Sequence, residues 1–72
     1  MSLVERTQDW RYVFANYDRV TDRLPVAGDL VYVSYVGIFT VDGVYKNGDI
    51  DVSDGDHKHR FPTSHYRLLL RK

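Results

Sequence analysis

Residues 47–61 read Asn47-Gly48-Asp49-Ile50-Asp51-Val52-Ser53-Asp54-Gly55-Asp56-His57-Lys58-His59-Arg60-Phe61. Ile50 and Val52 alternate with Asp49, Asp51 and Ser53, the period of two that marks a strand with one buried face. Asn47-Gly48 precedes this strand and Asp54-Gly55 follows it. Both pairs tolerate positive φ and so favour tight hairpin turns. His57-Lys-His-Arg-Phe61 then returns as the partner strand, and the stretch predicts antiparallel β-structure.

Working outward, Leu30-Val-Tyr-Val-Ser-Tyr-Val36 reads as a strand apolar on both faces, which points to a central place in a sheet. Ile38 to Tyr45 reads as a second strand, interrupted at Asp42-Gly43. Pro62-Thr-Ser-His65 lacks the pattern of a strand and reads as a single helical turn. Tyr66-Arg-Leu-Leu-Leu-Arg71 closes the chain as a last strand. Five short strands with tight turns predict a small barrel, because closure removes exposed sheet edges.

The first third reads differently. Met1 to Leu24 contains neither Gly nor Pro, and Ser2-Leu-Val-Glu5 has the spacing of a capping box. Leu3, Trp10, Val13 or Phe14, Tyr17, Val20 and Leu24 recur at helical spacing, with charged residues between them. These residues predict an amphipathic helix over roughly 3–17, within a helical segment of residues 1–25. The stretch Trp10-Arg-Tyr-Val-Phe-Ala15 is also rich in strand formers, so pairing with the sheet is the alternative. Leu24-Pro25 ends any helix.

The fold expected is therefore mainly β: an amino-terminal helix and a five-stranded barrel over residues 28–71, in one domain spanning 1–72. Phe61-Pro62-Thr63-Ser64-His65-Tyr66-Arg67-Leu68-Leu69 resembles the Phe-Pro … Tyr … Leu run that leads into the last strand of SH3 domains. Gly28-Asp29-Leu30-Val31-Tyr32-Val33 is similar to the first strand of KOW, Tudor and plasmid-type SH3-like proteins. Together these stretches resemble the SH3-like barrels. The spacing from Pro62 to Tyr66 is one residue longer than in SH3 domains, and the acidic, aromatic-rich opening and paired tryptophan of peptide-binding members are absent. The resemblance thus implies a fold, which hosts many functions, and not recognition of proline-rich peptides.

Composition narrows the functional classes. The 72 residues include no cysteine, which excludes a disulfide framework and a thiolate zinc site. Stability must come from apolar burial, and the 14% of residues that are aromatic supply large buried areas. Formal net charge is zero, so bulk charge selects neither nucleic acid nor membrane. No apolar run reaches membrane-spanning length and no secretory leader is readable, making the cytoplasm the expected compartment.

The charge is unevenly placed. Asp42, Asp49, Asp51, Asp54 and Asp56 face only Lys46 within their stretch, whereas residues 57–72 carry Lys58, Arg60, Arg67, Arg71 and Lys72 with no side-chain acid. Complementary charge across adjacent strands explains this pattern in structural terms. In functional terms, Lys58, Arg60, Arg67 and Arg71 with Tyr45 and Tyr66 form a candidate nucleic-acid face, the cations for phosphates and the rings for bases. Tyr32 and Tyr35 are further candidate rings.

His57 and His59, two apart on a strand, with His65 nearby, are the weak candidates for a metal site. No glycine-rich phosphate loop or nucleophile elbow is present, so no enzyme and no cofactor are expected. The sequence therefore favours a non-catalytic binding module that contacts nucleic acid through its carboxyl-terminal strands. The alternative is a protein-interaction adaptor or homo-oligomer using the amino-terminal helix, with its Trp10, Phe14 and Tyr17 stripe, and exposed tyrosines.

Overall fold

The computed structural model describes residues 2–72. In chain order the elements are β1 (Leu3–Arg6), α1 (Trp10–Asn16), β2 (Tyr17–Val20), β3 (Leu30–Val33), β4 (Gly37–Thr40), β5 (Gly43–Val44), β6 (Ile50–Asp54), β7 (His57–Phe61), a 3₁₀ turn (Thr63–His65) and β8 (Tyr66–Arg71). The strands form two antiparallel sheets, one of five strands in the order β1-β4-β3-β8-β2 and one of three in the order β5-β6-β7. The protein is mainly β with one short helix, and the described residues form no closed barrel.

The hairpins fall where the sequence places them. β6 and β7 pair from Ile50↔Phe61 to Asp54↔His57, and Gly55 takes φ 63° at their turn. Gly48, at φ 92°, turns the chain between β5 and β6, where the Tyr45 amide donates to the Asp49 carbonyl at 2.8 Å. The interruption at Asp42-Gly43 has a larger consequence than expected. It divides the expected strand in two, so that β4 joins the larger sheet and β5 the smaller.

β3 lies at the centre of the five-stranded sheet, which accounts for its two apolar faces. Val31 and Val33 point toward the three-stranded sheet and pack with Phe39, Val41, Ile50, Val52, Tyr66 and Leu68. Tyr32 points the other way, into a second buried layer with Val13, Tyr17, Ile38 and Leu69 beneath α1. The larger sheet is thus covered on one face by a sheet and on the other by a helix. Burying Val13 completely stabilises this second layer by roughly 1.5–3 kcal/mol.

The amino-terminal third corrects the expectation of a helix over residues 3–17. Leu3–Arg6 is a strand paired with β4, and Tyr17–Val20 is a strand paired with β8. Ser2 does not cap a helix. Its hydroxyl donates to the Ser53 carbonyl at 2.7 Å and its amide donates to Ser53 Oγ at 3.1 Å, tying the start of β1 to β6. The true cap is Asp9, whose carboxylate accepts from the Arg11 amide at 3.0 Å. Sheet hydrogen bonds on both sides outweigh the helical spacing, leaving α1 as a seven-residue crossing between β1 and β2.

Gly37 makes the β1 addition possible. A Cβ there would lie 2.5 Å from the Glu5 carbonyl oxygen, so only glycine allows β1 to approach β4 so closely. β3 also ends earlier than expected. After Val33 the chain turns, with the Val36 amide donating to the Val33 carbonyl at 3.0 Å and Tyr35 at φ 64°.

Candidate functional site

The expected basic face is divided between the two sheets. Lys58 and Arg60 lie on β7, whereas Arg67 and Arg71 lie on β8. Arg60 is already engaged. Its Nε donates to Asp49 at 2.9 Å and its guanidinium sits 3.7 Å from the centre of the Tyr45 ring. The Tyr45 hydroxyl in turn donates to Asp51 at 2.8 Å, a hydrogen bond that raises the phenol pKa above its ordinary value. The complementary charges noted in the sequence neutralise one another here, and Lys58 is exposed at the rim of the three-stranded sheet.

Tyr66 is a core residue. It is buried, and its hydroxyl donates to the Gly48 carbonyl at 2.6 Å, so its ring is not presented to solvent. Arg71 is exposed and lies 5.8 Å from the centre of the Tyr17 ring. The histidines do not converge. His57 and His59 lie exposed on β7 and His65 in the 3₁₀ turn, and no group of three His, Asp or Glu side chains able to hold a metal occurs among the described residues.

Arg67 belongs to a different constellation. β8 runs between β3 and β2, with Tyr32 opposite Arg67 on one side and Arg19 opposite Leu69 on the other. Residues two apart on a strand share a face, so Arg19 and Arg67 are diagonal neighbours on the face that carries α1. They line an open cleft of about 270 Å³ together with Trp10, Phe14, Tyr32, Ser34 and Tyr35. Trp10 is 54% exposed and Tyr35 71% exposed. Phe14 and Tyr32 meet edge to face beneath them, with ring centres 6.4 Å apart.

The electrostatics of this cleft are one-sided. No carboxylate lines it, and among the described residues neither Arg19 nor Arg67 takes part in an ion pair. Of the other arginines, Arg6, Arg23 and Arg60 are paired respectively with Asp54, Asp29 and Asp49, whereas Arg11 and Arg71 take part in no ion pair among the described residues. A second cleft, of about 230 Å³, adjoins the first by sharing Arg19 and Arg67, and continues past Leu24, Pro25 and Thr63. The two arginines therefore stand at the middle of one track. Aromatic surface lies on one side of them and mixed aliphatic surface on the other.

Of the cleft residues, the sequence marks Arg67, Tyr32 and Tyr35 as candidates for the nucleic-acid face and Trp10 and Phe14 as part of the alternative's partner stripe, but it gives Arg19 no binding role. Arg19 reads as part of the polar face of a helix. Only the pairing of β2 with β8 brings it beside Arg67. Compared with protein-family models, with curated proteins and with solved structures, the chain gives no match. The geometry of the cleft alone carries the functional argument.

Proposed function

We infer that the protein is a non-catalytic module that binds single-stranded nucleic acid in the cleft between Trp10 and Tyr35. The observation that carries this reading is the pair of arginines without counter-ions in a cleft that exposes two large rings and no carboxylate. Unstacked bases lie on aromatic faces whatever their identity, and guanidinium groups neutralise the phosphates between them. Duplex DNA offers no free base faces to such a cleft, so a single strand is the better ligand. Because the whole chain is electrically neutral, attraction is local and the salt dependence is that of a few phosphates.

The same reading places the fold among SH3-like arrangements opened into two sheets. In support, β3, the successive strands β4 and β5, β6, β7, a 3₁₀ turn and β8 follow one another in the SH3-like order, with β3 between β4 and β8. On this view β1, α1 and β2 are additions that build the cleft on the outer face of the larger sheet. The alternative, an adaptor or homo-oligomer, draws on the helix's aromatic stripe and on exposed tyrosines, of which Tyr12, Tyr35 and Tyr45 remain at the surface. Tyr17 is buried and Phe14 is packed against the sheet, so most of that stripe serves the protein's own core.

Trp10 provides the test, because it is the single tryptophan of the chain and stands in the cleft. Titration with oligodeoxythymidylate at low salt should quench its fluorescence to saturation. An unchanged emission across the titration would reject the reading.

A further inference from the structure

Tyr35 adopts the left-handed backbone conformation, with φ 64°, and is the one non-glycine residue at positive φ among the described residues. Side chains with a Cβ are disfavoured there, and a bulky ring at such a position is uncommon. The turn between β3 and β4 contains a glycine close by, but Gly37 is committed to the close approach of β1. The left-handed position of this turn is instead occupied by the most exposed large hydrophobic side chain among the described residues. Its conformation is held from below, where the Tyr35 amide donates to the buried Tyr32 hydroxyl at 3.3 Å.

We propose that Tyr35 is a ligand-stacking residue whose strained backbone is retained because it holds the ring over the cleft as a platform for a nucleobase. This inference rests on the reading of the cleft as a nucleic-acid site. A strained residue persists only where its surroundings hold it in place, and such residues cluster at ligand sites. On this proposal the ring contributes its stacking surface, and its hydroxyl, which makes no hydrogen bond among the described residues, is not needed to hold it in place. Tyr35→Phe should therefore bind as the parent does.

The experiment compares Tyr35→Gly, Tyr35→Ala and Tyr35→Phe by thermal unfolding and by titration with oligodeoxythymidylate, read through Trp10 fluorescence. Glycine and alanine variants should both bind about tenfold more weakly, the loss of one stacked base. Tyr35→Gly should also melt roughly 4–8 °C above Tyr35→Ala, because only glycine relieves the left-handed conformation. Parent-like binding by Tyr35→Gly would overturn the platform, and equal melting of the two variants would overturn the strain. If the unaltered protein fails to bind while Tyr35→Gly still melts above Tyr35→Ala, the fault lies in the cleft's assignment to nucleic acid. The role of Tyr35 as a base platform then falls with it.

Discussion

The Tyr32 hydroxyl accepts a hydrogen bond from the Tyr35 amide at 3.3 Å, joining the buried layer beneath α1 to the exposed rim of the cleft. Tyr32→Phe keeps the edge-to-face packing on Phe14 but removes this acceptor. The variant should lose about 1 kcal/mol in urea unfolding. It should also bind oligonucleotide a few-fold more weakly, because the ring above is less firmly placed. Unchanged affinity alongside reduced stability would show that the hydrogen bond serves folding alone.

The three-stranded sheet should contribute little to binding. Arg60 is bonded to Asp49 and stacked on Tyr45, so its charge and its ring partner are already occupied. Arg60→Ala combined with Lys58→Ala should change the oligonucleotide dissociation constant by less than about twofold, a phosphate-distant substitution. A tenfold loss in an anisotropy titration would move the working surface to β7.

The contrast between the two sheets shows what the sequence discloses. From Leu30 onward the turns at Asn47-Gly48 and Asp54-Gly55, the β6–β7 hairpin and the helical turn after Pro62 read correctly, because their determinants are local, whereas the early end of β3 and the division of the next strand between two sheets do not. In the first twenty residues a helix is present but is shorter than expected, because α1 and its flanking strands share one run of apolar spacing. The choice between helix and strand there depends on pairing with β4 and β8, distant in sequence. Arg19 escapes notice for the same reason. Arg67 was visible as a cation, but its neighbour Arg19 sat in a segment assigned to a helix. Tyr66 carried the aromatic signal of a binding residue while its hydroxyl was committed to Gly48.

The start of β1 is held by an unusual pair. Ser2 is 3% exposed, its hydroxyl donates to the Ser53 carbonyl, and the Ser53 amide donates back to it. Ser2→Ala leaves both Ser53 backbone groups without this partner in a part-buried region. The expected loss is about 1–3 kcal/mol in chemical unfolding. Oligonucleotide affinity of the folded fraction should not change, since the pair lies between the sheets and away from the cleft. A neutral effect on stability would mean that water replaces the hydroxyl.

Acid should weaken the loop that leads into β3. The hydrogen bond from the Arg23 guanidinium holds the Asp29 carboxyl below its ordinary value of 3.8, against the opposing effect of burial, and the Val26 amide adds to the lowering. The folded pKa is therefore below the unfolded one. The stabilisation is present above the unfolded value and is lost as pH falls through the folded one. Asp29→Asn should flatten the decline in melting temperature below about pH 4. An unchanged acid profile would show that other carboxylates govern it.

Alkali should act through Tyr66, whose pKa is raised by burial and then by the Asp49 charge. Here the folded pKa lies above the unfolded one, so the contribution is complete below the unfolded value and is lost as pH rises through the folded value. Tyr66→Phe should reduce the loss of stability above about pH 10. A profile identical to the parent's would place alkaline sensitivity elsewhere.

The most direct test of the binding account is fluorescence anisotropy of a labelled oligodeoxythymidylate across a salt series, with the parent protein and the Arg19→Ala, Arg67→Ala double variant. Two phosphates held by two arginines on a single strand predict a log–log slope of about −1.4 for the parent. The double variant should bind more weakly and with a slope near zero, while its thermal unfolding stays close to the parent's. Equal affinity and equal slope for the two proteins would contradict the central claim that Arg19 and Arg67 hold the nucleic-acid backbone.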